Sequence, residues 1–351
     1  MKNTRKNFSK TFFLIAAAVL LSLLSFLYVS TPARAGERKN FSFYFTFEGN
    51  TATAGHGAAE LKELMVLTVR KIMEKTNTNI QPMIVPAWTD ILKKVKSGKV
   101  DFMLFYPHSY IELRKQGLNL HPMFSVYLGF DEKSCIYVNK KSHIKNIKGL
   151  KGRKIALSNS YIRRFTNYPP DNRIDYIAQL NFISDFIELQ YILNNNGMGS
   201  LSSSGMSFAI DYPNYDSKLI ALDRNLVDAA LLTNSVVEIN RAGGNPLKNL
   251  EPLYCSPIPV HSMLVVSTDS MAASVSSKLT KAAMDTFANP DDETKDLIKR
   301  SNMQVGKAKF IPFTDSDLKY YYDIMDAYHK NNWRPEIEAV VNKLIEESKK
   351  Q

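Results

Sequence analysis

The sequence predicts a two-lobed α/β clamshell in which each lobe is a mostly parallel sheet flanked by helices and two crossing strands join the lobes. Three observations predict it. Strands and amphipathic helices alternate from residue 41 to residue 105, as they do in parallel sheets covered by helices. A second α/β stretch of different texture runs from 158 to 255 and needs a sheet of its own. Regular structure is interrupted twice, by the polar link Lys140 to Lys151 and by Pro257-Ile258-Pro259, where the chain is expected to cross between lobes and back.

The elements follow in order. Phe41 to Phe47 alternates and is rich in aromatic and β-branched residues, so it reads as a strand. Residues 58–75 place Leu61, Leu64, Met65, Thr68, Val69 and Ile72 at helical spacing, with Lys62, Glu63, Arg70, Lys71 and Glu74 opposite. Ile80 to Val85 is a second strand, Thr89 to Lys96 a helix stopped by Ser97-Gly98, and Val100 to Phe105 a nearly all-apolar strand buried on both faces. Further strands are expected at Cys135 to Asn139 and Lys154 to Leu157. Beyond them come a helix around Phe182 to Leu193, a strand near Ser207, a helix over 216–222 and a buried strand from Val227 to Leu232. After the strand Met263 to Ser267 the remainder is helical, over 275–288, 291–299, 315–329 and 335–349. The resulting division is a leader over 1–35, lobe one from 36–152 plus 258–351, and lobe two from 153–257.

The 351 residues carry 45 basic and 34 acidic side chains, a net charge of +11 with 44% apolar residues, which excludes disorder and a disulfide-stapled mini-protein. Five of the basic residues, Lys2, Arg5, Lys6, Lys10 and Arg34, fall in the first 35 positions, where no acid stands, leaving +6 on 36–351. A basic start, the apolar run Thr11 to Val29 and Ala33-Arg34-Ala35 read as a secretory signal cleaved after Ala35. The run is also long enough to serve as an uncleaved N-terminal anchor. Both readings place the body outside the cytoplasm, as a soluble, periplasmic chain. In an oxidising compartment Cys135 and Cys255 have one pairing open to them, with two buried thiols as the alternative.

Catalytic patterns are scarce. The six histidines are scattered without metal-ligand spacing, and there is no nucleophile elbow, phosphate loop or Cys-x-x-Cys. No catalytic residue, metal or cofactor is expected, and binding is favoured over catalysis. Gly197 to Gly205 could offer backbone N–H groups to an anion or be a plain surface loop. The basic run from Lys140 to Lys154 lacks the interleaved aromatics of a nucleic-acid platform and reads as a solvated face near the hinge, so nucleic acid is not an expected partner.

Several segments in order carry a resemblance: Trp88-Thr-Asp-Ile-Leu-Lys-Lys-Val-Lys-Ser-Gly-Lys-Val-Asp-Phe102, Tyr106-Pro-His-Ser-Tyr110, Ile147 to Ala156, Leu226-Val-Asp-Ala-Ala230, Cys255-Ser-Pro-Ile-Pro259 and Phe310 to Asp317. With them the chain resembles the periplasmic solute-binding proteins of phosphate, phosphite and phosphonate ABC transporters, which have the type 2 periplasmic-binding fold. The resemblance implies aromatic pocket walls at Trp88 and Phe105, each opening a loop at the carboxyl end of a strand, where α/β sheets bind ligands. Tyr106 stands where the family usually has Gly, and its hydroxyl is placed to reach the cleft. The family's Ser-Thr-Ser-Gly loop is replaced by Ser158-Asn159-Ser160-Tyr161-Ile162-Arg163-Arg164. Arg163 and Arg164 are candidates to supply guanidinium forks in place of the lost donors, with Asn159, Ser160, Thr233 and Asn234 as neutral donors. Tyr215 stands at the family's second-lobe histidine, and Ser235 and His261 near the acidic positions that hold a ligand amine, which argues against an aminophosphonate.

The function expected is therefore capture of a small anionic ligand between the lobes for an ABC-type permease, by a monomer. A periplasmic sensor that reports to a membrane histidine kinase uses the same clamshell. A secreted enzyme on a similar fold is the third reading, which an acid/base pair in the cleft would favour.

Overall fold

The computed structural model describes residues 40–45, 58–84, 88–127, 131–157, 173–209, 212, 215–244, 247–259, 263–300 and 307–348. Two sheets organise them. The first contains β1 (Asn40–Phe45), β2 (Asn79–Ile84), β3 (Phe102–Phe105), β4 (Leu120–Tyr127), β10 (Leu264–Thr268) and β11 (Lys309–Ile311), in the order β11-β4-β10-β3-β1-β2. The second contains β5 (Ser134–Asn139), β6 (Lys154–Ala156), β7 (Ser207–Ala209), β8 (Ala229–Thr233) and β9 (Leu250–Cys255), in the order β7-β6-β8-β5-β9.

The two sheets repeat one plan. Each has three parallel strands with the first in sequence between the second and third, β2-β1-β3 and β7-β6-β8. The next position in each is an antiparallel strand that a crossing delivers, β10 beside β3 and β5 beside β8. This is the expected two-lobed α/β architecture, and the antiparallel central strands are its signature. The chain alternates as it does because β3, β5 and β8 are wholly buried apolar runs. Strands covered on both faces need helices on both sides, and parallel neighbours need helical crossovers.

Those helices are α1 (Ala58–Thr76), α2 (Trp88–Lys96) and α3 (Pro107–Lys115) in the first lobe, and α4 (Arg173–Asn195), α5 (Tyr215–Asp223) and α6 (Asn234–Ala242) in the second. The C-terminal part adds α7 (Ala273–Ala288), α8 (Asp292–Arg300), α9 (Lys319–Lys330) and α10 (Arg334–Ser348). One apolar core packs α1, α7 and α8 on the first sheet, through Leu64, Val69, Phe102, Phe124, Ala283 and Ile298. A larger one is continuous between the lobes. It joins Phe105 and Ile111 to Ile136, Phe186 and Ile187 of the second lobe, and to Ile324 of α9 and Ile337 of α10.

The first crossing lies upstream of where the sequence places it. β4 ends at Tyr127 in the first sheet and β5 begins at Ser134 in the second, so 134–152 belongs with lobe two and not with lobe one. The polar run after β5 resembles a linker in composition, but it is two short 3-10 turns, Lys140–Ser142 and Ile147–Leu150, anchored by buried Ile144, Ile147 and Leu150. Periodicity identifies β5 as a buried strand and is silent on which sheet buries it. The second crossing runs from Cys255, the end of β9, to Leu264, the start of β10.

Candidate functional site

Strand register fixes where a ligand site has to be. β10 enters the first sheet with Leu264 opposite Phe105, the last residue of β3. β5 enters the second with Ser134 opposite Thr233, the last residue of β8. Both crossings therefore connect the carboxyl ends of the parallel strands, so those two ends are the sheet edges that border the cleft. A helix starts immediately beyond each: α3 behind Tyr106 and α6 behind Thr233, neither with a side-chain cap. The N-terminal N–H groups of such helices favour negative charge.

The crossings are pinned at their lobe-two ends. Cys135 and Cys255, directly opposite on β5 and β9, are joined by a disulfide with Cα atoms 4.0 Å apart. Ser256 N–H donates to the Ser134 carbonyl at 2.8 Å. Asn234 accepts from the Lys133 N–H at 2.7 Å and donates through Nδ2 to the Asp131 carbonyl at 2.9 Å. Thr233 and Ser235 share a hydrogen bond at 2.9 Å, and Ser235 donates to the buried Glu132 carboxylate at 2.9 Å. Thr233 and Asn234 thus sit at the carboxyl end of β8, where the side chains of Asn234 and Ser235 hold the first crossing strand.

The remaining expected residues are distributed as follows. Phe105 is completely buried in the shared core, while Tyr106 is half-buried and packs against that core. Trp88 and Tyr215 are the first residues of α2 and α5, and their side chains lie outside the described residues. Asn159, Ser160, Arg163, Arg164 and His261 lie outside the described residues altogether, as does the leader. The segment 158–172 follows β6, whose carboxyl end belongs to the same edge as that of β8. Gly197 to Gly205 is placed elsewhere, between α4 and β7, and holds an internal anion: Ser202 donates to Glu336 through its N–H at 3.1 Å and its hydroxyl at 2.6 Å.

Behind α3 lies a buried polar cluster that sequence reasoning missed. Lys218 of α5, wholly buried, pairs with Asp185 of α4 at 3.1 Å and donates to the Leu231 carbonyl at 2.7 Å. Burial pushes its ammonium below the usual lysine range, against the pull of Asp185. Glu188, one helical turn along α4, accepts from the Tyr320 hydroxyl of α9 at 2.7 Å. Burial raises its carboxyl to about 7, against the hydrogen bonds from Tyr320 and Ser134. His108, the second residue of α3, packs edge-on against Tyr321, and its Nε2 has no hydrogen-bond partner among the described residues. Burial lowers it to about 4, so the ring is neutral at pH 7. The spacing of Asp185 and Glu188 on an otherwise apolar helix was the only signal available in the sequence.

Among the described residues no group of three His, Cys, Asp or Glu side chains is placed to hold a metal, and no helix is long and apolar enough to cross a membrane. The polar cluster is closed by apolar packing.

Comparisons with known proteins agree with this geometry. Residues 53–161 match the family model described as the phosphonate periplasmic substrate-binding protein of ABC transporters. Among similar solved structures, PhnD1 of Prochlorococcus marinus in complex with methylphosphonate has a TM-score of 0.58 at 16% identity, over 84% of this chain and 98% of that one. A chloride-bound protein of Xanthomonas citri gives 0.54 at 13% identity, over 87% and 99%. The binding component of a Pseudomonas aeruginosa ABC phosphonate transporter gives 0.54 at 12% identity, over 90% and 98%. No curated protein sequence matches the chain. With its paired sheets, its two crossings and these structural matches, the chain has the type 2 periplasmic-binding fold, and over residues 53–161 it is similar to the phosphonate substrate-binding proteins of ABC transporters.

Proposed function

We propose that this protein is the extracytoplasmic receptor of an ABC-type importer and captures a small oxyanion, of the phosphonate, phosphate, sulfate or carboxylate class, between its lobes. The observation that carries the reading is the meeting of both crossings with the carboxyl ends of β3 and β8, where α3 and α6 begin without side-chain caps. Two helix N-termini at the borders of one cleft favour an anion. Arg163 and Arg164, in the segment after β6, are assigned as forks that bind it bidentately. The ligand acts by differential affinity, holding the lobes in the form that the permease recognises.

Thermal unfolding in the presence of methylphosphonate, phosphate, phosphite, sulfate and dicarboxylates tests the reading. A ligand at a thousandfold excess over its Kd stabilises by roughly 4 kcal/mol, and a midpoint rise of several degrees is expected for one of these anions. Arg163→Ala and Arg164→Ala should each weaken that anion by about tenfold or more, since each removes a charge-assisted hydrogen bond. If no anion moves the midpoint, the oxyanion class is wrong. If an anion binds and both variants bind it equally well, the arginine assignment alone fails.

A further inference from the structure

The basic run after β5 lies at the opposite pole of the second sheet from the cleft. β5 starts at the first crossing and ends at Asn139, six residues or roughly 20 Å away. There the run is built into the lobe. Lys140 N–H bonds to the Asn249 carbonyl, Asn139 Nδ2 to the carbonyls of Leu222 and Asp223, and Asp228 N–H to the Lys154 carbonyl. Segments 140–154, 222–228 and 248–251 therefore form one surface. The side chains of Asn139 and Asn146 cap its two 3-10 turns, and Ile144, Ile147 and Leu150 are its buried anchors. Lys140, Lys141, Lys145, Lys148, Lys151, Arg153 and Lys154 are all exposed on that fixed scaffold.

The charge is concentrated here. The three segments hold nine cations, the seven just named with Arg224 and Lys248, against the three carboxylates Asp223, Asp228 and Glu251. That surplus of six equals the whole surplus of residues 36–351, so the rest of the body is balanced. The same pole carries the two large apolar side chains that the described residues leave exposed, Leu226 at 58% in the turn before β8 and Ile220 at 47% on α5. Ile220 and Arg224 are four apart, on one helical face.

We propose that this pole docks on an anionic phospholipid surface. Nine of the eleven exposed groups are lysines or apolar side chains, Arg153 is turned toward Asp228 at 3.6 Å, and the three segments carry no exposed Phe, Tyr or Trp. Lysines are compact point charges that need no geometric match, which suits a fluid layer of phosphate headgroups. Leu226 and Ile220 add the shallow apolar contact that such a surface accepts. A nucleic-acid strand would call for stacking rings, and an acidic protein for rigid aromatic or arginine anchors. Docking at this pole leaves the carboxyl ends of β6 and β8 uncovered.

Hydrogen exchange of the full chain is the test, because it reads the pole locally whatever the leader does. With vesicles of equal parts phosphatidylcholine and phosphatidylglycerol, amides of 140–154 and 220–228 should be protected. Phosphatidylcholine alone should give none, and concentrated salt, which shortens the Debye length to a few ångströms, should abolish the protection. Lys141→Gln/Lys145→Gln/Lys148→Gln/Lys151→Gln should remove it, at roughly fivefold in partitioning per lysine, and Leu226→Ser should weaken it several-fold. If the quadruple variant fails to fold, Lys145→Gln/Lys148→Gln and the salt series carry the same test. Protection that is absent, equal on both vesicles or unchanged in the variants overturns the proposal. So does protection produced by polyglutamate or an oligonucleotide and not by vesicles.

Discussion

Glu188 shows how one residue can set a pH dependence. Its carboxyl titrates near 7 in the folded protein and near 4.5 in the unfolded chain, because burial disfavours the anion. Between these values the unfolded state gives up the proton first, so stability is full below 4.5 and is lost as the pH rises through about 7. His108 works in the opposite sense. Its folded value near 4 lies below the unfolded 6.5, so its contribution is present above 6.5 and is lost as the pH falls toward 4. Glu188→Gln keeps an acceptor for Tyr320 and removes the titration. We expect urea unfolding to find the variant more stable than wild type above pH 7, by on the order of 3 kcal/mol, and near parity below 4.5. A wild-type stability that stays flat across that range would sink the assignment. None of this was legible in the sequence, because helical spacing places Asp185 and Glu188 on α4 without showing that α3, α5 and α9 close over them.

At the scale of elements, the start of α6 has a mechanical task. Asn234 holds the backbone of the first crossing at Lys133 and Asp131, and Ser235 holds Glu132. Asn234→Ala should cost about 1–2 kcal/mol, since it leaves the Lys133 amide without that acceptor. Hydrogen exchange should quicken over 131–134 while the interior of α6 keeps its protection; unchanged exchange there would refute the pinning role. The sequence identified Thr233 and Asn234 as candidates through the loop after a buried strand. It presented them as ligand donors, and the bonds that Asn234 makes to a crossing 101 residues or more away in sequence were not legible there, being a product of sheet register alone. In the same way α2, β3, α5 and β8 were legible from period and composition. α3, β4, α6, β9 and β11 were not singled out: they are short, or half-buried, or carry no regular alternation.

For the whole molecule, the Cys135–Cys255 bond closes a loop of 120 residues that contains nearly all of lobe two. A cross-link over about 100 residues removes unfolded-chain entropy worth roughly 4.7 kcal/mol at 25 °C. Cys135→Ser/Cys255→Ser, or reduction of the wild type, should therefore lower unfolding stability by about 2–4 kcal/mol. It should also make lobe two and the crossings exchange faster than the first sheet's strands. Equal midpoints for the oxidised and reduced protein would show that the loop is already constrained in the unfolded state.

The α/β class, the two lobes, most of the helices and strands, and the surplus of positive charge can all be read from the chain's residue order. These are written in local period, composition and count, which depend on neighbours along the chain. Which sheet takes β5 follows from the folded pairing, and with it that the first crossing is short and the disulfide lies at its lobe-two end. So does the place of the basic run at the far pole of lobe two, away from the hinge, and the sharing of one buried cluster by Lys218, Asp185 and Glu188. The physical reason is the same in each case: sheet membership, pole and burial are set by pairing between segments distant in sequence, and such pairings leave no period for the chain to display.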